Sequence, residues 1–294
     1  MEIRAADVGD LPGALALHDQ FAPYQVVTEV GLRHRLTSPS PPGQSAFAAV
    51  DGDQVVGWVT TGLIAGSDPL GGQLRLLVRP GCRGQGLGTR LVEAAHDVLR
   101  SAGATTARVF AEPSAAEWAE RWGYRQTRQV HYAGIDPQKA PEIGEVSSGI
   151  ELIPLNQADP RKLYEADVIA QRTKPGDATI VARPYDDWLR AIWNSPVMVL
   201  DLSVAALYDG EIAAFTLGNG DRTKVWSQMT ATMPEYRGRG LAKLVKAAAL
   251  QRAAAAGVQH CYTANYDGNT AMLAVNEWLG YYRIATHSVL VCPL

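Results

Sequence analysis

The chain has 294 residues, of which 47% are hydrophobic and 19% charged, with a formal net charge of -3. A domain usually takes about 100–200 residues, so two domains are expected, each with ample material for a core. The charge balance lacks the basic excess of a nucleic-acid binder, and three scattered cysteines (Cys82, Cys261, Cys292) with singly spread histidines give neither a disulfide framework nor a metal centre.

From the N-terminus, MEIRAADVGDLPGALAL has early acidic residues and no basic segment ahead of an apolar block, so it does not read as a secretory signal. No apolar run reaches the roughly 18–20 residues of a membrane span, and a cytoplasmic protein with no membrane partner is expected. A short strand (EIRAA) precedes helical segments. The stretch TSPSPPGQ (37–44) must be a loop, because its prolines fit neither a helix interior nor a central strand. The runs AFAAV and QVVGWV flank Asp51-Gly52 and predict a β-hairpin. A strand then enters a glycine-rich loop, followed by a helix (LGTRLVEAAHDVLRSAG) that stops at Gly103, a strand (TTARVFA), a helix (SAAEWAERW) and a strand (QTRQVHYAG).

The same order then repeats. IELIPL and helical segments lead to LSVAALY and EIAAFTL around Asp209-Gly210, then to TKVWSQMTAT, a second glycine loop, a helix (LAKLVKAAALQRAAAAG) stopping at Gly257, QHCYTAN, NTAMLAVNEWL and RIATHSVLVCPL. LLVRPGCRGQGLGTRLVEAA answers TATMPEYRGRGLAKLVKAAA, and ERWGY answers EWLGY. Three landmarks in one order at nearly one offset mean duplicated domains, because the period is far longer than that of a solenoid. The expected limits are 1–138 and 150–294, with a Pro/Gly/Ser-rich linker at 139–149.

A strand running into Arg-Gly-x-Gly and then a helix makes an anion site. The glycines turn the chain and leave room, and the first helical N–H groups lack partners and face the ligand along the helix dipole. Arg83 and Arg90 in the first copy, and Arg237, Arg239, Lys243 and Lys246 in the second, add positive charge. The alternative is a tight strand-to-helix turn with no ligand. Neither a G-x-x-x-x-G-K-[ST] loop nor a G-x-G-x-x-G spacing is present.

Both halves resemble the GNAT (Gcn5-related N-acetyltransferase) superfamily, whose [Q/R]-x-x-G-x-[G/A] signature appears as Arg83-Gly84-Gln85-Gly86-Leu87-Gly88 and Arg237-Gly238-Arg239-Gly240-Leu241-Ala242. The V-x-P ahead of it appears as Val78-Arg79-Pro80 and Thr232-Met233-Pro234. The resemblance covers nearly the whole chain and implies two tandem domains, each a mixed, mostly antiparallel sheet flanked by helices. It implies acetyl-CoA, or another acyl-CoA, between two splayed strands. The contacts carried over are Val78, the loop Arg83 to Gly88 and Thr89 in the first half. In the second half they are Thr232, Met233, the loop Arg237 to Ala242, Lys243, Asn269 and Asn276. A backbone N–H at or beside Val78 or Thr232 would polarise the thioester carbonyl.

Many members carry Asn at the start of the last helix and, seven residues on, a Tyr that protonates the leaving thiolate. In the second half that frame gives Asn269, Asn276 and Gly280-Tyr281, so an amide replaces the phenol and cannot act as a practical general acid. The first half gives Glu112, Ala119 and Gly123-Tyr124, which loses both positions. The second half is therefore the favoured catalytic one, with Thr232, Asn265 and Asn276 as its candidate residues. Thr263 and Asn265 alternate on one strand and face either the cleft or solvent. Asp177, Asp186 and Asp187 could attract a cationic amine, or the Asp-Asp pair could sit in a helix first turn. Trp188 and Trp193 are expected in the core, and Cys82 beside the loop is either reactive or a tolerated small residue. The leading expectation is an N-acyltransferase acting on a small-molecule amine. The alternatives are a CoA-binding protein without activity and an enzyme modifying protein or peptide amines. Nothing in the sequence speaks to oligomeric state.

Overall fold

A computed structural model describes residues 1–38, 41–144, 146–173 and 179–294. Pro39 and Ser40 of the expected loop, Glu145 of the expected linker and Asp177 lie outside the described residues. Two compact units divide the chain: Met1–Val130 with Thr286–Leu294, and His131–Ala285.

In the first unit, Glu2–Ala5, Ser45–Asp51, Gln54–Leu63 and Gly71–Val78 pair antiparallel in that order. Gly71–Val78 then pairs parallel with Thr106–Ala111, but only from Gly71↔Thr106 to Leu74↔Val109, so the two strands part beyond Leu74. The sheet continues through the end of the chain, where Ser288–Pro293 pairs antiparallel with Thr106–Ala111. Helix Leu87–Ser101 covers one face, burying Leu87, Leu91, Val92, Ala95 and Leu99 at helical spacing. Helices Leu11–Phe21 and Glu29–Thr37 cover the other, over Ala48, Trp58 and Leu77.

The second unit repeats the plan. Ile150–Pro154, Val204–Tyr208, Glu211–Gly220 and Lys224–Thr232 form its antiparallel part. Lys224–Thr232 pairs parallel with His260–Tyr266 only from Lys224↔His260 to Trp226↔Tyr262. Residues 131–135 belong to this unit, and their strand neighbours His260–Tyr266. Helix Leu241–Ala255 packs Val245, Ala247, Ala248 and Leu250 on one face, and Leu163, Trp188 and Phe215 build the core on the other. The hairpin turn has both Asp209 and Gly210 at positive φ, 50° and 78°, the type I′ geometry that suits strand twist.

The strands that line the two forks differ in register. Gly71–Val78 keeps an unbroken register against Gln54–Leu63. Lys224–Thr232 slips by one residue: Leu217 faces Met229, but Gly218 faces Ser227, and Gln228 is extra. Such a bulge exchanges the faces of the strand on either side of it. Val225 packs in the core beside Ala247 and Leu250, whereas Met229 and Ala231 pack with Trp188 on the opposite side.

Candidate active site

Each fork opens toward a glycine loop. In the second unit, the strand ends at Thr232, a short 3-10 turn spans Pro234–Tyr236, and Gly238 and Gly240 follow at φ 77° and 76°. In the first, Pro80–Cys82 is followed by Gly84 and Gly86 at φ 76° and 78°. A side chain at any of the four would meet nothing within 4 Å. The glycines are required by backbone conformation, and the space beside them is open to a ligand. Gly86 and Gly240 are the N-caps of the long helices and make no side-chain cap. The first N–H groups after them point outward, unsatisfied by the helix. The arginines fold back on their own strands: Arg83 Nε donates to the Val78 carbonyl oxygen at 3.2 Å, and Arg237 Nε to that of Thr232 at 3.3 Å.

The strand ends aim one amide into each fork. Met233 donates its N–H to the Ala213 carbonyl at 2.9 Å, and Arg79 does the same to Val56 at 2.8 Å. Successive N–H groups of a strand point to opposite edges. The N–H groups of Thr232 and Val78 therefore point to the edge from which the parallel partner strand has departed.

Beyond its paired portion, His260–Tyr266 carries the polar residues. Thr263 is buried and donates to the Ser227 carbonyl at 3.5 Å, and Asn265 is half-buried. Neither is a solvent-facing edge residue. Asn265 Oδ1 accepts from Asn276 Nδ2 at 2.7 Å, so the structure joins two of the predicted residues. Asn276 is 4% exposed, and its Oδ1 is buried with no hydrogen-bond partner. Asn269 caps helix Thr270–Trp278, its Oδ1 accepting from the Met272 N–H at 3.3 Å.

Two cations of the second loop are engaged near it: Arg239 lies over the Tyr236 ring at 5.3 Å, and Lys243 Nζ over Trp278 at 4.8 Å. Lys246 corrects an expectation. It adds no charge at the loop, because its side chain is buried in the interior, with Nζ donating to Ser227 Oγ at 2.9 Å and lying 5.1 Å from the Tyr281 ring centroid. Burial pushes its pKa down to about 8. A small cavity of about 30 Å³ borders Lys246, Ser227, Thr216, Cys261 and Tyr281, enough for a water molecule.

On the other face, Trp188 is buried and Trp193 partly buried, both in the core as expected. Trp188 Nε1 donates to Asp167 Oδ2 at 2.9 Å, and Asp167 is a buried carboxylate that the sequence pattern did not single out. Asp186 and Asp187 occupy the first turn of helix Tyr185–Trp188, where Asp187 pairs with Arg190. Cys82 is partly buried against the core of the first unit. Glu112 is exposed and precedes the turn Pro113–Ala115.

Among the described residues, no cluster of His, Cys, Asp or Glu could hold a metal, and no helix is long and apolar enough to cross a membrane.

Comparison with known proteins agrees with this geometry. An Acetyltransferase (GNAT) domain profile matches residues 42–126, and an Acetyltransferase (GNAT) family profile matches 162–281. The chain belongs to the GNAT acetyltransferase family, as two domains in tandem, and is an N-acetyltransferase by that membership. It is 28% identical to mycothiol acetyltransferase of Nocardiopsis dassonvillei over 94% of this chain and 89% of that one. It is 26% identical to mycothiol acetyltransferase of Thermobispora bispora, over 96% of each. In fold it is similar to a GCN5-related N-acetyltransferase from Sphaerobacter thermophilus, with TM-score 0.76 and 18% identity over 99% of this chain and 95% of that one. A tandem GNAT protein from the clavulanic acid biosynthesis pathway gives TM-score 0.73 at 21% identity, over 99% and 98%.

Proposed function

We propose that the second unit transfers an acetyl group from acetyl-CoA to the amine of a small molecule, and that the first unit is not catalytic. The observation that carries this reading is the bulged strand of the second unit. Its Thr232 N–H faces an open fork, beside a glycine loop, with Asn265 and Asn276 joined on the facing side.

The loop residues fit a diphosphate. Gly238 and Gly240 leave open space, the N–H groups of Leu241, Ala242 and Lys243 are oriented for anionic oxygens, and Arg237 and Arg239 supply charge. Acetyl-CoA supplies an acyl group activated as a thioester with a thiolate as leaving group. The Thr232 N–H is held by the strand and would donate to an oxygen on which negative charge develops, with no reorganisation at the moment of reaction. Asn276 already donates to Asn265, so it orients the wall of the fork. As the amine nitrogen bonds to the acetyl carbon and the C–S bond breaks, the proton released by the amine would reach the leaving sulfur through water. The two relatives named mycothiol acetyltransferase support a small-molecule acceptor and make mycothiol-related amines the first to assay.

The first unit keeps its loop but has an unbroken strand register and Glu112 where the second has Asn269. Thiol release from acetyl-CoA, followed across a panel of amines, tests the assignment. Arg237→Ala and Gly240→Glu are expected to abolish turnover, and Arg83→Ala and Gly86→Glu to leave it. The reverse result would move the chemistry to the first unit, and a chain inactive on every amine would sink the reading.

A further inference from the structure

In the first unit, the sheet face opposite helix Leu87–Ser101 collects basic side chains from several elements. Arg75 follows Leu74, the last residue of its strand paired with Thr106–Ala111. Alternation puts it on the face of Leu77, which packs in the core of Leu11 and Leu17. Arg108 stands opposite Gln73 in register, on that same face, and donates to Gln73 Oε1 at 3.2 Å. Arg35 reaches in from helix Glu29–Thr37, its Nη1 donating to the Thr61 carbonyl at 2.9 Å. The residue before Thr61 is Thr60, the cross-strand partner of Arg75. His18, from helix Leu11–Phe21, is 7% exposed, and its Nδ1 is buried with no hydrogen-bond partner. His287 is buried nearby, its Nε2 2.8 Å from the Tyr24 hydroxyl.

The carboxylates close to this group are Asp19, next to His18, and Glu112, near His287. Among the described residues, neither Arg35 nor Arg75 forms an ion pair with a carboxylate. Arg35 is held below its ordinary pKa by burial and by Arg75, and burial with Arg75 pushes His18 down to about 4. Two neighbouring guanidinium groups without an acid repel each other, more strongly as the surroundings become less polar. Guanidinium forks match the geometry of carboxylate and phosphate groups. A neutral imidazole with an unpaired Nδ1 can offer an N–H to the same guest.

We propose that this face of the first unit binds a small oxyanion, clamped by Arg35 and Arg75 with His18 Nδ1 as a third partner. The site is separate from the glycine loop and does not depend on which unit transfers the acetyl group. The guest carries either a carboxylate or a phosphate group, and the two are distinguished by titration.

Calorimetry on the full chain, with inorganic phosphate in one series and succinate in another, tests the site. At least one probe is expected to bind, and the tighter of the two identifies the group. Arg75 is exposed, so Arg75→Gln leaves the fold intact, and it is expected to raise Kd roughly tenfold or more. His18→Gln, checked for an unchanged melting profile, is expected to weaken binding as well. Phosphate could also sit on a glycine loop, so Arg83→Ala and Arg237→Ala are measured alongside and are expected to leave the Arg75-dependent binding unchanged. Binding that survives Arg75→Gln but disappears in a loop variant would overturn the proposal. So would the absence of binding by both probes at millimolar concentration.

Discussion

Asn276 gives its side-chain N–H to Asn265 at 2.7 Å, while its own carbonyl oxygen is buried without a partner. Buried amides left unpaired cost about 1–3 kcal/mol, whereas removing both partners of a pair can be nearly neutral. Asn265→Ala is therefore expected to destabilise the second unit by about 1–3 kcal/mol. Adding Asn276→Leu to Asn265→Ala is expected to recover part of that loss. Chemical denaturation of the two single variants and the double variant reads the coupling directly, and strictly additive effects would show that the two amides do not act as a pair.

The loop glycines predict a separable effect on stability. Gly240 and Gly86 both sit in the left-handed region with open space around them. Alanine at either position is expected to cost about 1–2 kcal/mol from backbone conformation alone. Thermal unfolding of Gly86→Ala and Gly240→Ala should show similar losses, since the two backbones are alike. Only Gly240→Ala is expected to lower kcat/KM for acetyl transfer.

Lys246 predicts an unusual pH dependence. Its folded pKa of about 8 lies below its ordinary value of 10.5. Between those values the unfolded chain holds more protons than the folded one, so the lysine's contribution to stability rises with pH across that window. Below pH 8 the penalty for its charge is fully present, and the shift corresponds to about 3 kcal/mol. Lys246→Met is expected to be more stable than the parent at pH 7, with the difference shrinking from pH 8 to about 10.5. The neighbouring Cys261 thiol, pushed up to about 12 by burial against the pull of Lys246, acts in the opposite direction. Loss of the lysine raises it further, so the Lys246→Met protein loses more stability above about pH 9 and the difference shrinks in the same sense. Denaturant midpoints of the pair across pH 7–10 check this, and a constant difference would contradict it.

The last residues of the chain predict where a C-terminal lesion acts. Cys292 is fully buried in a cluster with Leu99, Ala107 and Tyr124 of the first unit. Cys292→Asp is expected to remove amide-exchange protection from Thr106–Ala111 and helix Leu87–Ser101 while His260–Tyr266 stays protected. Loss confined to the second unit would contradict the assignment of this strand.

Much of the fold is written in local patterns. The duplicated glycine pairs, the Asp-Gly turns and the stops at Gly103 and Gly257, at φ 83° and 79°, each follow from a backbone geometry that few residues accept. The site is legible where it depends on that geometry, as at Gly238 and Gly240. It is less legible where it depends on packing. Helix Leu241–Ala255 is so rich in alanine that its buried face cannot be located from periodicity, and Lys246 reads as a loop cation when it is an interior residue. Gln228 carries no mark of the bulge it forms, because the slip is set by pairing with Glu211–Gly220. Asp167 meets the Trp188 indole across a chain separation that no local pattern spans. Arg75 likewise looks like an ordinary exposed strand residue until the register brings it beside Arg35.

The closure of the first sheet by Ser288–Pro293 has a consequence during synthesis. Ribosomes add roughly 5–20 residues per second, and most domains condense as their own segment emerges. Here Thr106–Ala111 must wait for the much later Ser288–Pro293 to be made before its antiparallel neighbour exists. Through that interval its unpaired N–H and C=O groups offer a template to any extended segment, including the same strand on an adjacent nascent chain. Overproduction that crowds many nascent chains together should therefore yield more aggregate than low-level expression, and a chaperone that shields this edge should recover soluble protein without any change in the stability of the finished fold.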